Sequence, residues 1–252
     1  MRATILQISA VWGKPVDNQR NAERLIDSAP PSDIYVLPEM WSTGFATSPS
    51  GIAEDEHESR NNGSLAWMKR MAVKHNAAIS GSLSVKTDEG YYANRLYFVT
   101  PDGKTEYYDK KHLFFGGGES ENYHAGNKRT VVSYMGVRFL LIVCYDLRFP
   151  VWIRSDNDYD VILCAANWPE ARQEVWDTLL RARAIENQCF AIGANRTGED
   201  LLCSYSGGSQ IISPYGKSIA TCGKKEEICT ADLDFDKLER FRKVFPVLND
   251  RD

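Results

Sequence analysis

Apolar residues recur along the chain in two spacings, and segments of the two kinds alternate. Short apolar or alternating runs such as TILQIS (4–9) and IYVL (34–37) predict strands, whereas apolar residues three or four apart, as at Ala22, Leu25 and Ile26, predict helices. The predicted strands are 4–9, 34–37, 77–85, 92–99, 105–109, 130–134, 137–143, 161–165, 190–194, 209–212, 218–221 and 227–232. The predicted helices are 17–28, 64–75 and 169–187.

This order of elements predicts an α/β protein with mixed sheets. Strands and helices alternate in the first part of the chain, and hairpins enter later, which favours large mixed sheets with helices outside them. The 252 residues are 43% hydrophobic and 25% charged, enough to bury a large core. Since no Pro/Gly/Ser-rich linker or block of charge interrupts the pattern, we expect one domain over 1–252.

Charge and hydropathy exclude several classes of partner. The net charge of −4 argues against binding to nucleic acid, whose phosphates attract basic surfaces. No apolar run approaches the roughly 20 residues that a membrane span needs. The N-terminal segment resembles a strand and lacks the long apolar stretch of a signal peptide, so we expect a cytoplasmic protein that does not bind a membrane.

The cysteines predict neither disulfides nor a metal site. The chain has six cysteines and four histidines, without a C-x-x-C pair and without histidines close to the cysteines in sequence. Five of the cysteines are expected to be reduced, mostly buried thiols. Cys144 differs, because it ends the apolar run FLLIV and is followed by polar residues.

Reactive side chains follow three of the predicted strands. Glu39 follows IYVL, Lys110 follows TEYYD, and Cys144 follows FLLIV. Taken singly, each is more often a solvated or packing residue. Taken together they suit acyl transfer, because a carboxylate can remove the thiol proton and an ammonium can stabilise the oxyanion of a tetrahedral intermediate.

The segments that carry these residues resemble the signature of the nitrilase (carbon–nitrogen hydrolase) superfamily. LPEM, YDKKHLF and VCYDLRFP occur in the family's order and match its Glu, Lys and Cys. With LPEMWSTGF, ANWP and RARAIEN, the chain is most similar to the bacterial omega-amidase branch, which hydrolyses the terminal amide of 2-oxoglutaramate and related 2-oxo acid monoamides.

The resemblance implies a role for each matched residue. Glu39 would be the general base and Cys144 the nucleophile that forms a thioester, while Lys110 and the Tyr145 backbone N–H would form the oxyanion hole. A second active-site glutamate would be Glu119, with Glu121 left open because the preceding glycine run is hard to align. The family also implies a four-layer α-β-β-α sandwich, no metal or organic cofactor, and a homodimer or higher homo-oligomer.

The substrate must be inferred from pocket polarity. A 2-oxo acid amide carries a carboxylate, for which an Arg fork is suited, so Arg148 is the candidate ligand. The alternative is a structural contact of Arg148 with Asp146 or with a carbonyl at a helix end. Further residues are expected to line the pocket, with core packing as the alternative for the aromatic ones: Trp41, Phe45, Phe115, Asn167 and Trp168.

Rival interpretations stay open at this point. Within the superfamily they are a nitrilase, an N-carbamoyl amidase or an aliphatic amidase, which share the Glu-Lys-Cys set. A catalytically silent relative that binds a small molecule is a further alternative, as is a structural α/β protein in which the three segments agree by coincidence.

Overall fold

The computed structural model describes residues 1–200 and 202–250. Within these ranges the strands are β1 (Arg2–Gln7), β2 (Ile34–Val36), β3 (Glu54–Asp55), β4 (Ala78–Lys86), β5 (Tyr92–Val99), β6 (Thr105–Asp109), β7 (Val131–Tyr134), β8 (Val137–Val143), β9 (Val161–Ala166), β10 (Phe190–Asn195), β11 (Thr197–Glu199), β12 (Ser204–Ser206), β13 (Gln210–Ile212), β14 (Ser218–Thr221) and β15 (Glu227–Asp232). The helices are α1 (Pro15–Ser28), α2 (Glu56–Asn61), α3 (Ser64–His75), α4 (Glu119–Asn122), α5 (Pro150–Ile153), α6 (Gln173–Glu186) and α7 (Phe235–Val244). None of the helices in the described ranges is long and apolar enough to cross a lipid bilayer.

Two mixed sheets form the centre of the molecule. The first has the order β15-β1-β2-β4-β5-β6, with β3 paired to β4, and the second has the order β14-β13-β10-β9-β8-β7. Each contains parallel neighbours, such as β1 with β2 and β8 with β9, and antiparallel ones, such as β4 with β5 and β7 with β8. A separate hairpin joins β11 and β12.

Side-chain alternation along the strands assigns the layers. In β2, Ile34 and Val36 belong to the core between the sheets, whereas Tyr35 belongs to the core that packs against α1 and α3. The other sheet is covered by α6, whose Trp176 and Leu180 pack over Gly193 of β10. Because a strand presents successive side chains to opposite faces, the arrangement is a four-layer α-β-β-α sandwich, and the predicted fold class is confirmed.

Several helices differ from the sequence prediction, and the short helices α2, α4 and α5 were not predicted. The helix expected over 169–187 begins as a 3-10 turn, Glu170–Arg172, and becomes α-helical only at Gln173. Helix α7 was also not predicted, although Phe235, Leu238, Phe241 and Val244 recur at every third position among polar and charged residues. Only Leu238 of these is buried, which is typical of a helix that lies on a surface.

Candidate active site

The three reactive residues follow strands of the two facing sheets. Glu39 follows β2, Lys110 follows β6 in the same sheet, and Cys144 follows β8 of the other sheet. Lys110 Nζ lies 2.8 Å from Glu39 Oε1, and both side chains are fully buried. The fold therefore brings residues 71 positions apart into direct contact.

Cys144 stands on a strained turn. The residue has a φ of +46°, in the left-handed region that side chains other than glycine rarely adopt. It opens a 3-10 turn, Cys144–Arg148, directly after β8. The first N–H groups of such a turn have no partner within the turn, so the Tyr145 N–H belongs to a set of donors suited to an oxyanion. Strained nucleophile positions of this kind are typical of active sites.

Glu39 is held by donors on both of its oxygens. Oε1 accepts from Lys110 Nζ at 2.8 Å and from Asn94 Nδ2 at 2.7 Å, and Oε2 accepts from the backbone N–H of Asn167 at 2.8 Å. The side chain of Asn167 also donates to the Glu39 carbonyl at 2.9 Å. Three donors on a buried carboxylate fix its orientation.

Glu119, and not Glu121, contacts Lys110. Glu119 is the first residue of α4 and is fully buried, while Glu121 is exposed. Its Oε2 accepts from Lys110 Nζ and from the Phe114 N–H, both at 2.7 Å, and its Oε1 accepts from Asn94 Nδ2 at 2.8 Å. Lys110 thus lies between two carboxylates, and its ammonium, which has three N–H groups, keeps one for another acceptor.

Burial and the mutual contacts shift the pKa values of this cluster. Burial disfavours the charge on Lys110, but Glu119 and Glu39 outweigh it and hold the pKa of the ammonium well above its ordinary value. Burial raises the pKa of Glu119, with Lys110 opposing the change. Burial and the charge of Glu39 raise the pKa of the Cys144 thiol well above its ordinary value, and Lys110 acts in the opposite direction. The Cys144 thiol is therefore neutral at rest and would need a base to act as a nucleophile.

Asp146 connects the loop after Lys110 to the turn that begins with Cys144. Its Oδ2 accepts from Tyr108 Oη and from the Val143 N–H, both at 2.9 Å. Its Oδ1 accepts from the His112 N–H at 2.9 Å and from His112 Nδ1 at 2.7 Å. Since a carboxylate only accepts, His112 carries its proton on Nδ1. Asp146 is thus fully engaged without Arg148, and the ion pair considered as an alternative for Arg148 is not formed.

Gly126 packs against the segment that holds Lys110. Its N–H donates to the Lys110 carbonyl at 2.9 Å. A Cβ at this position would lie 2.1 Å from the Asp109 carbonyl oxygen, closer than any side chain allows. The sequence AGN after the glycine run is therefore a contact that only glycine can make, and it supports Lys110 from the backbone side.

A cavity of about 550 Å³ has Cys144 in its wall. Three of the predicted pocket residues also line it: Phe45, Asn167 and Trp168. The centroid of the Phe45 ring lies 5.7 Å from Lys110 Nζ. The remaining lining residues are Trp12, Thr47, Ser48, Ile52, Phe114, Gly116, Gly117, Tyr145, Arg148, Pro169, Arg172, Asp200, Leu202, Cys203 and Tyr205.

Two predicted pocket residues lie elsewhere. Trp41 is fully buried in the core beneath the outer helices, with its ring centroid 4.8 Å from that of Trp67, and it is not among the residues lining the cavity. Phe115 also does not line it, and its side chain is 72% exposed. Its neighbour Phe114 lines the cavity instead. The aromatic character of these segments was predicted, but the direction of each ring was not.

Two guanidinium groups in the cavity wall have no counter-charge. Arg148 lies 5.3 Å from the centroid of the Trp168 ring, and Arg172 lies 5.4 Å from that of Phe114. Within residues 1–200 and 202–250, neither guanidinium has a hydrogen-bond or ion-pair partner. The one carboxylate in the wall, that of Asp200, accepts from the Tyr205 hydroxyl and from the N–H groups of Leu202 and Cys203. The cavity is therefore suited to an anionic ligand.

Sequence reasoning missed three polar residues of the site. Asn94 shares a face of β5 with Leu96 and Phe98, which lie in the core between the sheets, so a polar residue on an apolar face was the available signal. Asp146 was named only as a partner for Arg148. Arg172 gave no signal, because it lies in the turn before α6. In the described part of the chain, no group of three or more His, Cys, Asp or Glu residues is placed to hold a metal ion.

Comparisons with known proteins agree with this arrangement. The sequence profile of the carbon-nitrogen hydrolase family matches residues 2–243. Omega-amidase YafV of Escherichia coli is 41% identical over 256 residues, which is 100% of this chain and 97% of the relative. The 2-oxoglutaramate amidase of Bacillus subtilis is 35% identical over 250 residues, which is 97% of this chain and 95% of the relative.

A solved structure has the same fold as this chain. It is a carbon–nitrogen hydrolase superfamily protein from Xanthomonas campestris with an arsenic adduct in its active site, 38% identical to this chain, with a TM-score of 0.94. The alignment covers 100% of this chain and 97% of that one. Together with the family profile and the two relatives, this shows that the chain belongs to the carbon–nitrogen hydrolase family and is a hydrolase of amide carbon–nitrogen bonds.

Proposed function

We propose that the protein hydrolyses the terminal amide of small 2-oxo dicarboxylic acid monoamides, such as 2-oxoglutaramate and 2-oxosuccinamate, through a cysteine thioester. The observation that carries the proposal is the cavity in which Cys144 faces the same space as two guanidinium groups without counter-charges. An amide that also carries a carboxylate suits both features, because the carboxylate binds the guanidinium and the amide carbon meets the thiol. The names of the Escherichia coli and Bacillus subtilis relatives agree with this class of substrate.

In the first half of the reaction the amide is converted to a thioester. Glu39 takes the proton of the Cys144 thiol, and the sulfur attacks the amide carbon. The third N–H of the Lys110 ammonium and the Tyr145 backbone N–H donate to the oxyanion of the tetrahedral intermediate. The carbon–nitrogen bond then breaks, and the proton on Glu39 passes to the nitrogen, which leaves as ammonia.

In the second half the thioester is hydrolysed. Glu39, again a carboxylate, takes a proton from a water molecule that attacks the thioester carbon. The carbon–sulfur bond breaks, the sulfur recovers its proton from Glu39, and the 2-oxo acid leaves. Both steps use the same oxyanion donors and need only side chains of this chain and water, so the absence of a cofactor stays a prediction of the mechanism.

The test is a comparison of matched amides with the purified protein. We expect ammonia release from 2-oxoglutaramate with a kcat/KM at least about tenfold above that for glutamine, which has an amino group in place of the 2-oxo group. The Cys144→Ala variant should keep its fold by circular dichroism and release no ammonia above background. A simple nitrile and an N-carbamoyl amino acid complete the panel.

Three results would overturn the proposal. Turnover near the wild-type rate in Cys144→Ala would remove the nucleophile from the mechanism. A higher kcat/KM for the nitrile or the N-carbamoyl amino acid than for 2-oxoglutaramate would assign the protein to another branch of the family. A protein that binds these amides without hydrolysing them would be the silent relative considered above.

We also propose that the protein is at least a dimer in the cytoplasm. Apolar side chains are exposed near α6 and α7, among them Ile185 (49%), Tyr215 (52%), Val244 (85%) and Phe245 (58%). A contiguous exposed apolar patch favours contact with another protein surface, here a second copy of the chain. Light scattering at micromolar concentration tests this, and a monomeric mass would contradict it.

A further inference from the structure

One side chain joins both active-site carboxylates. The amide nitrogen of Asn94 donates to Glu39 Oε1 at 2.7 Å and to Glu119 Oε1 at 2.8 Å. Asn94 is fully buried in β5, and its backbone carbonyl accepts from the Lys110 N–H at 3.0 Å. This one residue therefore contacts both carboxylates of the cluster that faces Cys144, and it also contacts the backbone of Lys110.

The direction of each hydrogen bond around Asn94 is fixed by its partners. Ser82 Oγ accepts from the Met40 N–H at 2.8 Å, so its own proton is free to go to Asn94 Oδ1, 2.9 Å away. With Oδ1 engaged as an acceptor, the amide NH₂ must face the two carboxylates. The opposite orientation would place Oδ1 against two carboxylate oxygens and leave a buried polar mismatch.

Met40 links the hydrogen bonds of Ser82 and Asn94 to the backbone beside Glu39. Its φ is +42°, so the chain turns sharply directly after Glu39. The Ser82 hydroxyl holds the Met40 N–H at that turn. The Ser82 hydroxyl therefore bonds both to the backbone directly after Glu39 and to Asn94, whose amide donates to the Glu39 side chain.

The two oxygens of Glu39 are not equivalent. Oε1 accepts from Asn94 and Lys110, whereas among residues 1–200 and 202–250 Oε2 accepts only from the Asn167 N–H, at 2.8 Å. A carboxylate oxygen has two in-plane lone pairs, so Oε1 is saturated and Oε2 keeps one. The free lone pair that a base needs is thus on Oε2.

We propose that Asn94 is a positioning residue that saturates Glu39 Oε1, separates Glu39 from Glu119, and so assigns the proton transfer with Cys144 to Glu39 Oε2. The proposal rests on the proposed function in that it takes Glu39 as the base. Without Asn94 the two carboxylates would share Lys110 alone. Carboxylates that lie close together keep a proton to higher pH, which withdraws the base.

The test measures the reactivity of the Cys144 thiol itself, so its result does not depend on which substrate the protein hydrolyses. The rate of Cys144 alkylation by iodoacetamide is measured against pH by mass spectrometry of the peptide that contains Cys144. We expect Asn94→Leu to lower the rate at neutral pH by about tenfold and to move the acid limb of the profile up by about one pH unit. Asn94→Asp adds a third carboxylate and should move the limb further in the same direction.

Two further variants separate positioning from folding. Asn187 is also fully buried, with its side chain bound to the Ser155 N–H and the Arg183 carbonyl, so Asn187→Leu should lower the melting temperature while leaving the acid limb unmoved. Ser82→Ala keeps Asn94 but frees its Oδ1, and should move the limb by less than Asn94→Leu does. It also supplies the test if Asn94→Leu does not fold.

An acid limb that coincides with that of the wild-type protein in Asn94→Asp and Ser82→Ala would overturn the proposal and make Asn94 a packing residue. A shifted alkylation profile in a protein that fails to hydrolyse 2-oxo acid amides would instead overturn the substrate assignment alone. Limbs that move in the order wild-type, Ser82→Ala, Asn94→Leu, Asn94→Asp support the positioning role.

Discussion

Lys110 Nζ donates to Glu119 Oε2 over 2.7 Å, and both side chains are fully buried. In the proposed mechanism, Glu119 therefore acts on the reaction through Lys110, whose remaining N–H donates to the oxyanion. We expect Glu119→Gln to lower kcat by about 10²–10³-fold, because the amide keeps the shape but loses the charge that holds the ammonium. Steady-state ammonia release measures the change.

Glu121→Gln is the matched control for that substitution. Glu121 lies two residues further along the chain and is exposed, so its neutralisation should leave kcat unchanged. Equal losses in the two variants would show that the effect comes from the loop as a whole and would remove Glu119 from the catalytic cluster.

The pKa of the Cys144 thiol should respond in opposite directions to its two charged neighbours. Glu39 raises this pKa and Lys110 lowers it, although burial has the largest effect. Neutralising the carboxylate in Glu39→Gln should therefore lower the thiol pKa, and Lys110→Met should raise it further. The ionisation of Cys144, followed by the ultraviolet absorbance of its thiolate and not by a rate that depends on the base, should reach half its maximum at a lower pH in Glu39→Gln than in Lys110→Met.

One result would contradict this prediction. A thiol pKa that moves in the same direction in both variants would mean that solvation, and not the two charges, decides its value. Circular dichroism spectra that match the wild-type protein are the control in each case, because Lys110→Met leaves two buried carboxylates without their cation.

Asp146 is expected to matter for both stability and rate. In Asp146→Asn one oxygen becomes an NH₂ group and faces donors, such as the Val143 N–H or the His112 N–H. We expect the free energy of unfolding to fall by about 1–3 kcal/mol, and kcat to fall because Cys144 and Lys110 lose their common anchor. Urea denaturation and ammonia release measure the two effects.

Asp158→Asn provides the comparison for Asp146→Asn. Asp158 is a partly exposed partner of Arg129, far from Cys144 in its contacts. Its substitution should change the free energy of unfolding by less than about 1 kcal/mol and leave kcat alone. A similar loss of kcat in both variants would mean that Asp146 has no special connection to the active site.

The sequence predicted the parts of the molecule that local pattern controls. Buried strands show as apolar runs, and Glu39, Lys110 and Cys144 each follow one, so the family motifs and the sheet edges agree. Helix α7 was missed although Phe235, Leu238, Phe241 and Val244 recur three residues apart, a spacing that predicts a helix.

The unpredicted parts depend on contacts between distant segments. Asn94 contacts carboxylates that are 55 and 25 positions away in the sequence, and the local sequence YANRLYFV does not indicate which distant residues it will contact. Trp41 and Phe45 lie in one irregular loop, where neither spacing of 2 nor of 3.6 residues tells which ring faces the core. One ring packs on Trp67 and the other lies over Lys110.

Trp41→Phe and Phe45→Leu should therefore have different consequences. Trp41 is a core residue whose indole nitrogen has no hydrogen-bond partner, so Trp41→Phe should lower the free energy of unfolding by about 1–2 kcal/mol and leave KM unchanged. Phe45→Leu, in the cavity wall, should raise KM with a smaller effect on stability. An increase in KM for Trp41→Phe would show that Trp41 contributes to the substrate pocket.

Arg148 and Arg172 are expected to select for a carboxylate in the substrate. Their guanidinium groups face the cavity and rest on the Trp168 and Phe114 rings, with no other partner among residues 1–200 and 202–250. Arg148→Lys keeps the charge but loses the planar fork, so KM for 2-oxoglutaramate should rise about tenfold. Arg148→Gln should raise it about 10–100-fold, as expected when a charge-assisted hydrogen bond is lost.

The control is an uncharged amide of similar length, such as butyramide, whose KM should not respond to either substitution. Arg172→Gln tests the second guanidinium in the same way, and a rise in KM for both arginine variants would place the carboxylate between them. If KM for 2-oxoglutaramate stays at the wild-type value in Arg148→Gln while the melting temperature falls, Arg148 holds the turn after Cys144 and the carboxylate binds elsewhere. Butyramide lacks the carboxylate. A KM for butyramide that also rises would therefore indicate a local change at the Cys144 thiol, whereas an unchanged KM would indicate that only recognition of the carboxylate is lost.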